Sequence, residues 1–469
     1  MKSKPNDICV TVTSLAYAAR PSHAFPGFTT SLPLRNATPS ASFTQATSFT
    51  LCVASAKPLR VGIAGAGIAG LTTALALQKT PNTGVQQIQV FETRQSIDVA
   101  QGAAVNLNGA TAILEGIYGV SLRDVAIPMN YVTAREPSGS TIFQVDVDRM
   151  VRQSAMAKKE LCVNGEHCFM TVMRDDLQNA LLNELGAGVK IHRGESNRVV
   201  GVHQQGNQAR FALKDGSTSQ YFDLIIGADG LRSNVRSYVI NKEKQPVYSG
   251  IRVQWAVAPG SDLPFGMVEQ WFGDGAYVLR YAAGSENKKY EMLACSFREA
   301  KKVAENPGYE QNTTLRDDFS LRLERSNMPQ VVRGVLERSE RLIETGVYRH
   351  SLPPKWYRGA ACLVGDSAHA MPPYLGQGAN QAVQDAHCLA LTISQIDEQY
   401  SCLSEALEKY ETIRRVPVQA ILQASRLAAF LEIQDGAVRS RMRNCFFRLL
   451  GAAGIPQRTL LQASRPRFL

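Results

Sequence analysis

Asp366, Ser367 and His369 crowd one short loop, in the stretch Cys362-Leu-Val-Gly-Asp-Ser-Ala-His-Ala-Met-Pro-Pro-Tyr-Leu-Gly-Gln-Gly-Ala-Asn380. Their adjacency argues against a hydrolytic triad, whose members are brought together from distant positions. The residues around them fit the binding of a flat ligand better. A short apolar strand ends at Asp366, where a carboxylate can accept hydrogen bonds from a polyol chain. Pro372 and Pro373 stiffen the loop, while Gly376 and Gly378 let backbone approach the ligand closely. The helix expected from Ala379 to about Ile396 points its positive end there and favours negative charge on the ligand. A structural loop before a packed helix has the same composition, but two further segments weigh against that reading.

The first is Gly65-Ala-Gly-Ile-Ala-Gly70, behind the buried strand Arg60-Val-Gly-Ile-Ala and ahead of a helix from Leu71 to about Lys79. Gly65 makes the turn, Gly67 admits a pyrophosphate to the backbone, and Gly70 lets helix pack on strand. A second strand, Ile88 to Phe91, ends at Glu92, 22 residues past Gly70 and placed for ribose hydroxyls. This segment alone fits NAD or FAD. The second is Asp223-Leu-Ile-Ile-Gly-Ala-Asp-Gly-Leu-Arg-Ser-Asn-Val-Arg236, a strand delivering Asp229 and Gly230 to a tight turn before a helix.

The elements that must hold these turns are strands and helices in alternation, an α/β (α+β) chain. Gln101 to Ala110 leads into a helix from Thr111 to Ile117. Thr141 to Val147 is strand-like, and Met170 to Leu185 passes from strand to amphipathic helix at Arg174, which is otherwise a solvated helix-start charge. Runs at Ile251 to Val257, Met267 to Phe272, Ala276 to Ala282 and Tyr290 to Phe297 read as an antiparallel sheet roofing a pocket. A helical region at 313–338 follows, and a long amphipathic helix from Glu405 to Leu431 should be interrupted at Pro417.

The formal charge of +10 sits in the termini. Residues 1–57 hold five basic and one acidic residue, 436–469 hold seven Arg and no acid, and the body between is nearly neutral. Nucleic acid is therefore excluded as the default partner. Cys162, His167 and Cys168 do not complete a zinc site, so no metal is expected. No run of apolar residues is long enough to span a membrane.

Together the GxGxxG with Glu92, the Gly227 to Arg236 string and Gly365 to Asp385 resemble the FAD-dependent single-component monooxygenases of the p-hydroxybenzoate hydroxylase fold. The resemblance covers roughly 58–430, including Gly102 to Ala110, Arg174 to Leu177 and Tyr410-Glu-x-x-Arg414. It implies a Rossmann-type FAD-binding domain (58–126, 170–245, 335–400) interleaved with a substrate domain (127–169, 246–334), then C-terminal helices over 401–469. It also implies roles. Gly65, Gly67, Ile68, Ala69 and Gly70 would cradle the FAD pyrophosphate, with Glu92 on ribose and Arg174 on the adenosine side. Asp229 and Gly230 would serve FAD and the approach of NADPH or NADH, and Asp366 the ribityl chain. Pro372, Gly376, Gly378, Ala379 and Asn380 would border the isoalloxazine, with His369 and Pro372 the ring-proximal candidates. NAD(P)H would reduce the flavin and O2 would form a flavin hydroperoxide that passes one oxygen to an electron-rich carbon. A binding protein or reductase of the same fold is the alternative from another class.

Residues 1–57 carry sixteen Ser and Thr, a diluted apolar stretch from Ile8 to Ala19, and Ser22-His23-Ala24 before Phe25-Pro26. This resembles a two-part plastid presequence, with a mitochondrial leader as the alternative. A plastid setting points to a small hydrophobic substrate, a carotenoid such as zeaxanthin. Gly378-Ala379-Asn380 and the lack of room for a forkhead-associated domain point instead to an aromatic, salicylate-type hydroxylase. The Arg-rich segment Arg439 to Leu450 is a candidate membrane-surface helix or a solvated basic face.

Overall fold

Val61, Ile63, Ile225, Ile226, Cys362 and Leu363 are completely buried, as the unbroken apolar runs of a parallel sheet covered on both faces require. Those strands lie in a six-stranded sheet of the computed structural model, which describes residues 58–96, 103–242, 245–285, 288–300 and 313–468. The expected leader and Gln101-Gly102 lie outside the described residues.

The sheet runs in the order Val189–Arg193, Val85–Glu92, Leu59–Ala64, Leu224–Gly227, Ala361–Leu363, Tyr357–Arg358. All pairs are parallel except the last. Ala64 stands opposite Phe91 and Gly227, and Gly227 opposite Leu363. The chain therefore leaves the three glycine-bearing strands at one edge, the carboxyl end where such sheets bind ligands. The helices Ile68–Lys79 and Gly378–Ser394 pack together behind that edge.

A seven-stranded sheet forms the second layer, in the order Arg341–Arg349, Val247–Pro259, Lys289–Arg298, Ala276–Gly284, Met267–Phe272, Tyr131–Arg135, Thr141–Asp146. One face packs against the helices Thr313–Arg325 and Gln330–Arg338 through Val278, Leu293, Cys295, Phe319 and Val335. The other face looks toward the nucleotide-binding layer.

Four features depart from the sequence reading. Strand Tyr131–Arg135 pairs with Met267–Trp271 in parallel, so the roofing sheet is not purely antiparallel. Arg341–Arg349 belongs to that same sheet, so the chain leaves the substrate layer after 349 rather than at 335. An antiparallel hairpin, Val199–Gln205 with Gln208–Leu213, stands as an element that was not expected. The helix Leu403–Glu432 runs unbroken through Pro417. Pro417 costs one amide donor, but buried Tyr410, Arg414, Val418, Ile421 and Leu422 hold the helix on both sides of it.

Candidate functional site

Gly65 has φ +96°, and a Cβ there would press on the Ala228 carbonyl at 2.5 Å. A Cβ on Gly70 would drive into the Gly65 carbonyl oxygen, so the helix sits as close to the strand as backbone allows. Gly67, the residue before the helix Ile68–Lys79, is different: a Cβ there would meet nothing within 4 Å. The same empty space lies at Gly230 and at Gly378, the first residue of Gly378–Ser394. Three segments far apart in sequence thus each present a glycine to open space at the carboxyl edge of the sheet.

Glu92 is buried and accepts hydrogen bonds from the Ala66 amide at 2.8 Å and from the Arg94 amide and Nε at 2.9 and 3.1 Å. Burial alone would raise its pKa, yet Arg94 and the Ala66 amide outweigh that and hold it below the usual carboxylate range. Glu92 therefore shapes the glycine turn. Gln178 adds a hydrogen bond to the Ala66 carbonyl at 3.0 Å. Nothing in the sequence signalled that contact. Ile68 is buried and Ala69 lies against Gly365. Arg174 opens the helix Arg174–Asn183, as expected.

Asp229 accepts from the Asn234 amide at 2.8 Å and the Val235 amide at 3.4 Å, capping the next helix with one oxygen. Its Oδ1 is buried without a partner. Burial pushes the carboxyl up, against the Ser233 hydrogen bond that lowers it. Asp366 is exposed in a segment where every neighbour from Ala361 to Ala370 is buried, so its carboxylate faces outward at the end of the strand.

His369 is buried away from that opening. Its Nε2 lies 2.5 Å from Asp385 Oδ2, and its ring packs on Trp356 at 5.3 Å. Asp385 also accepts from the Gly365 amide at 2.9 Å and from Arg414 Nε at 2.8 Å. Burial raises the Asp385 pKa, but His369 and Arg414 overcome it and the carboxyl titrates below its ordinary value. His369 is thus a packing residue, a strut under the loop. Pro372 stays at the loop, its carbonyl receiving Ser425 Oγ at 2.6 Å.

Asn380 is likewise a clip. Its Oδ1 accepts from the Asn108 and Ala110 amides at 2.8 and 3.2 Å, and its Nδ2 donates to the Asn106 and Gly376 carbonyls, both at 2.9 Å. With those bonds made, it joins the 376–380 loop to the Ala104–Leu107 strand and has little left for a ligand. Gly376 turns with φ +61°, and Ala379 is partly exposed beside it. Gln377 Nε2 and Asn106 Oδ1 are buried without partners next to the clip. Arg236 donates to the carbonyls of Ser367 and Ala368 at 2.8 and 2.9 Å, tying the Asp229 turn to the Asp366 loop.

Open space at Gly67, Gly230 and Gly378, an outward Asp366, and unpartnered polar atoms on Asp229, Gln377 and Asn106 fit a long ligand. That ligand would carry a pyrophosphate, a polyol and a flat ring. Among the described residues no cluster of His, Cys, Asp and Glu could hold a metal.

A family model described as "FAD binding domain" matches residues 59–425. The 3-amino-4-hydroxybenzoate 2-monooxygenase of Streptomyces cremeus is 28% identical over 397 residues, 81% of this chain and 89% of that protein. The chloroplastic zeaxanthin epoxidase of Spinacia oleracea is 28% identical over 389 residues, 80% of this chain and 54% of that longer protein. Among solved structures, Klebsiella pneumoniae HpxO complexed with FAD and uric acid shares the fold with TM-score 0.71, at 20% identity over 87% of this chain and 97% of that one. With the match running through the Gly65 turn, the Asp229 turn and the 365–380 loop, the chain belongs to the FAD-binding-domain family of FAD-dependent monooxygenases, with the p-hydroxybenzoate hydroxylase fold.

Proposed function

We propose that this monooxygenase uses NADH or NADPH and O2 to insert one oxygen atom into an electron-rich carbon of a hydrophobic substrate, a carotenoid such as zeaxanthin. When bound, FAD supplies the redox chemistry, taking a hydride and activating O2. The chain's own work is to bind, orient and keep water out. Gly65, Gly67 and Gly70 would hold the pyrophosphate, Glu92 the ribose, and Asp366 the ribityl hydroxyls. The amino end of the 17-residue helix Gly378–Ser394 favours negative charge on the reduced ring. The observation that carries the reading is the roof: Tyr277 of the large sheet packs on Tyr374 of the ring-bordering loop, ring centres 6.1 Å apart. Tyr281, on the same strand, donates to the Ala104 carbonyl at 3.1 Å. A sheet fastened to both segments would close the ring face against solvent, as oxygen transfer requires.

The Streptomyces relative favours a second reading, hydroxylation of an aromatic ring. The test is FAD-loaded protein given NADPH or NADH with zeaxanthin in detergent or a set of phenolic acids, with mass spectrometry of products. Oxygen insertion into zeaxanthin is the expected outcome, and a hydroxylated phenol selects the aromatic reading. Tight FAD with no stimulated oxidation by either cofactor would leave a flavin-binding protein or a reductase.

A peripheral contact with an anionic membrane surface is part of the same proposal. The helix Ala437–Ala452 shows Val438, Met442, Phe446 and Leu449 at 71, 67, 45 and 71% exposure, with Arg439 and Arg441 exposed beside them. Their spacing sets them on one face. Arg443 and Arg448 are not available to lipid: the first donates to the carbonyls of Phe272, Gly273 and Glu432, and the second pairs with Glu136. The protein should sediment with phosphatidylglycerol vesicles but not with phosphatidylcholine vesicles. Met442→Asp with Leu449→Asp should abolish that while FAD stays bound.

A further inference from the structure

A groove of about 840 Å³ opens between the helices Gly109–Leu114, Ala155–Leu161 and Leu403–Glu432 and the tail residues 465–468. Its volume is that of a small-molecule site. Gly67, Gly230, Asp366 and Gly378 do not line it, so it is separate from the flavin edge. The walls are apolar. Ile113 is buried, Val163, Ile413 and Phe468 are half-buried, and Ile117 and Val416 stand 50 and 67% exposed. Large apolar side chains left this open to water are a surface that an apolar chain would cover.

The charges of the groove are unequal. Glu160 is taken by Arg465, with two hydrogen bonds at 2.6 and 2.9 Å. The nearby acids are also paired, Asp148 with Arg152, and Glu115 and Glu166 with Arg123. Lys159 and Arg467 line the groove too, both exposed, and neither has an acidic partner among the described residues. Arg467 springs from a fixed backbone, whose carbonyl accepts from Arg414 at 2.5 Å and whose amide donates to Gln384 at 2.9 Å. Two cations thus stand over an apolar trough with no acid to answer them.

We propose that this groove binds a fatty acid anion, with its alkyl chain along the apolar walls and its carboxylate at Lys159 and Arg467. A neutral chain of the same length gains the walls but not the two charges, and a cationic head is repelled by them. A carboxylate gains both, and the exposed position of the cations keeps its desolvation small. The site needs no oxygen transfer and no particular substrate at the flavin.

The test is decanoate, decanol and decyltrimethylammonium, each titrated below its micellar concentration into the FAD-loaded full chain by calorimetry. Decanoate should bind about 5-fold or more tighter than decanol, and the cation weakest. Lengthening the acid to laurate should tighten binding about 3-fold per added methylene. Lys159→Gln with Arg467→Gln should bring decanoate to the decanol value and leave decanol unchanged, which a folding defect would not do. Val416→Glu should weaken both. Cys162, half-buried on the groove wall, locates the ligand. Laurate should slow its alkylation by N-ethylmaleimide about 5-fold or more, as occupancy of an adjacent wall requires, with exposed Cys445 unaffected. Absence of laurate binding, equal binding of the three decyl compounds, decanoate unaffected by the double substitution, or protection of Cys445 in place of Cys162 would overturn the proposal. So would a dimer dissociated by Val416→Glu, which would assign the groove to a second copy of this chain.

Discussion

Asp385 serves three partners at once, the Gly365 amide, His369 and Arg414. One buried carboxylate thus fixes the backbone that delivers Asp366 and the helix that backs the ring loop. Close to it on the same helix, His387 is buried with its Nδ1 2.5 Å from the Tyr118 hydroxyl and its ring edge-on to Phe468 at 4.5 Å. Burial pushes the His387 pKa down from 6.5 to about 4. The unfolded chain therefore takes up a proton below pH 6.5 that the folded chain refuses until about pH 4. Stability from this residue is complete above the unfolded value and is lost as pH falls through that window. Wild type should lose about 2 kcal/mol more than His387→Gln between pH 7 and pH 5. Urea unfolding at both pH values measures the difference, and parallel slopes would exclude His387 as the source.

At the scale of elements, the decisive join is between the loop 376–380 and the strand Ala104–Leu107. Asn380 makes it with three hydrogen bonds to Asn106, Asn108 and Ala110, and a fourth to Gly376 holds its own loop. Asn380→Ala would leave the Asn108 and Ala110 amides buried and unpaired, at about 1–3 kcal/mol each. The parallel sheet does not depend on that clip. The expectation is therefore a folded protein, normal by circular dichroism, that binds FAD at least 10-fold more weakly by fluorescence titration. The sequence marked Asn380 as bordering the ring because it sits at a helix start behind Gly376 and Gly378. Three of its four bonds reach residues some 270 positions away, and no local pattern carries that information.

For the whole molecule, the C-terminal segment is a structural part of the flavin layer. Arg414 donates to the Arg467 carbonyl at 2.5 Å, the Arg467 amide donates to Gln384 at 2.9 Å, and Phe468 covers His387. The two ends of the Arg-rich region therefore differ: the helix Ala437–Ala452 shows an apolar face to solvent, while 464–468 closes the back of Gly378–Ser394. Deleting 464–469 should lower Tm by several degrees and loosen FAD, since it opens the Asp385 and Arg414 network to water. Thermal unfolding with and without added FAD checks this. An unchanged Tm would mean that the segment only lies on the surface.

The sequence by itself determined the parallel sheet and its glycine turns, because apolar runs, left-handed positions and close helix packing are local demands that few residues satisfy. It also named Asp366, Gly67, Gly230 and Gly378 at the edge where the ligand space opens. Tertiary structure alone decided which polar residues face that space and which hold it up. His369 and Asn380 carry the same side-chain chemistry in either role, and only their distant partners separate strut from ligand contact. The path of the chain through Arg341–Arg349 was likewise set by strand register. Each strand's pattern says which residues share a face, but register and layer packing decide which face meets the flavin.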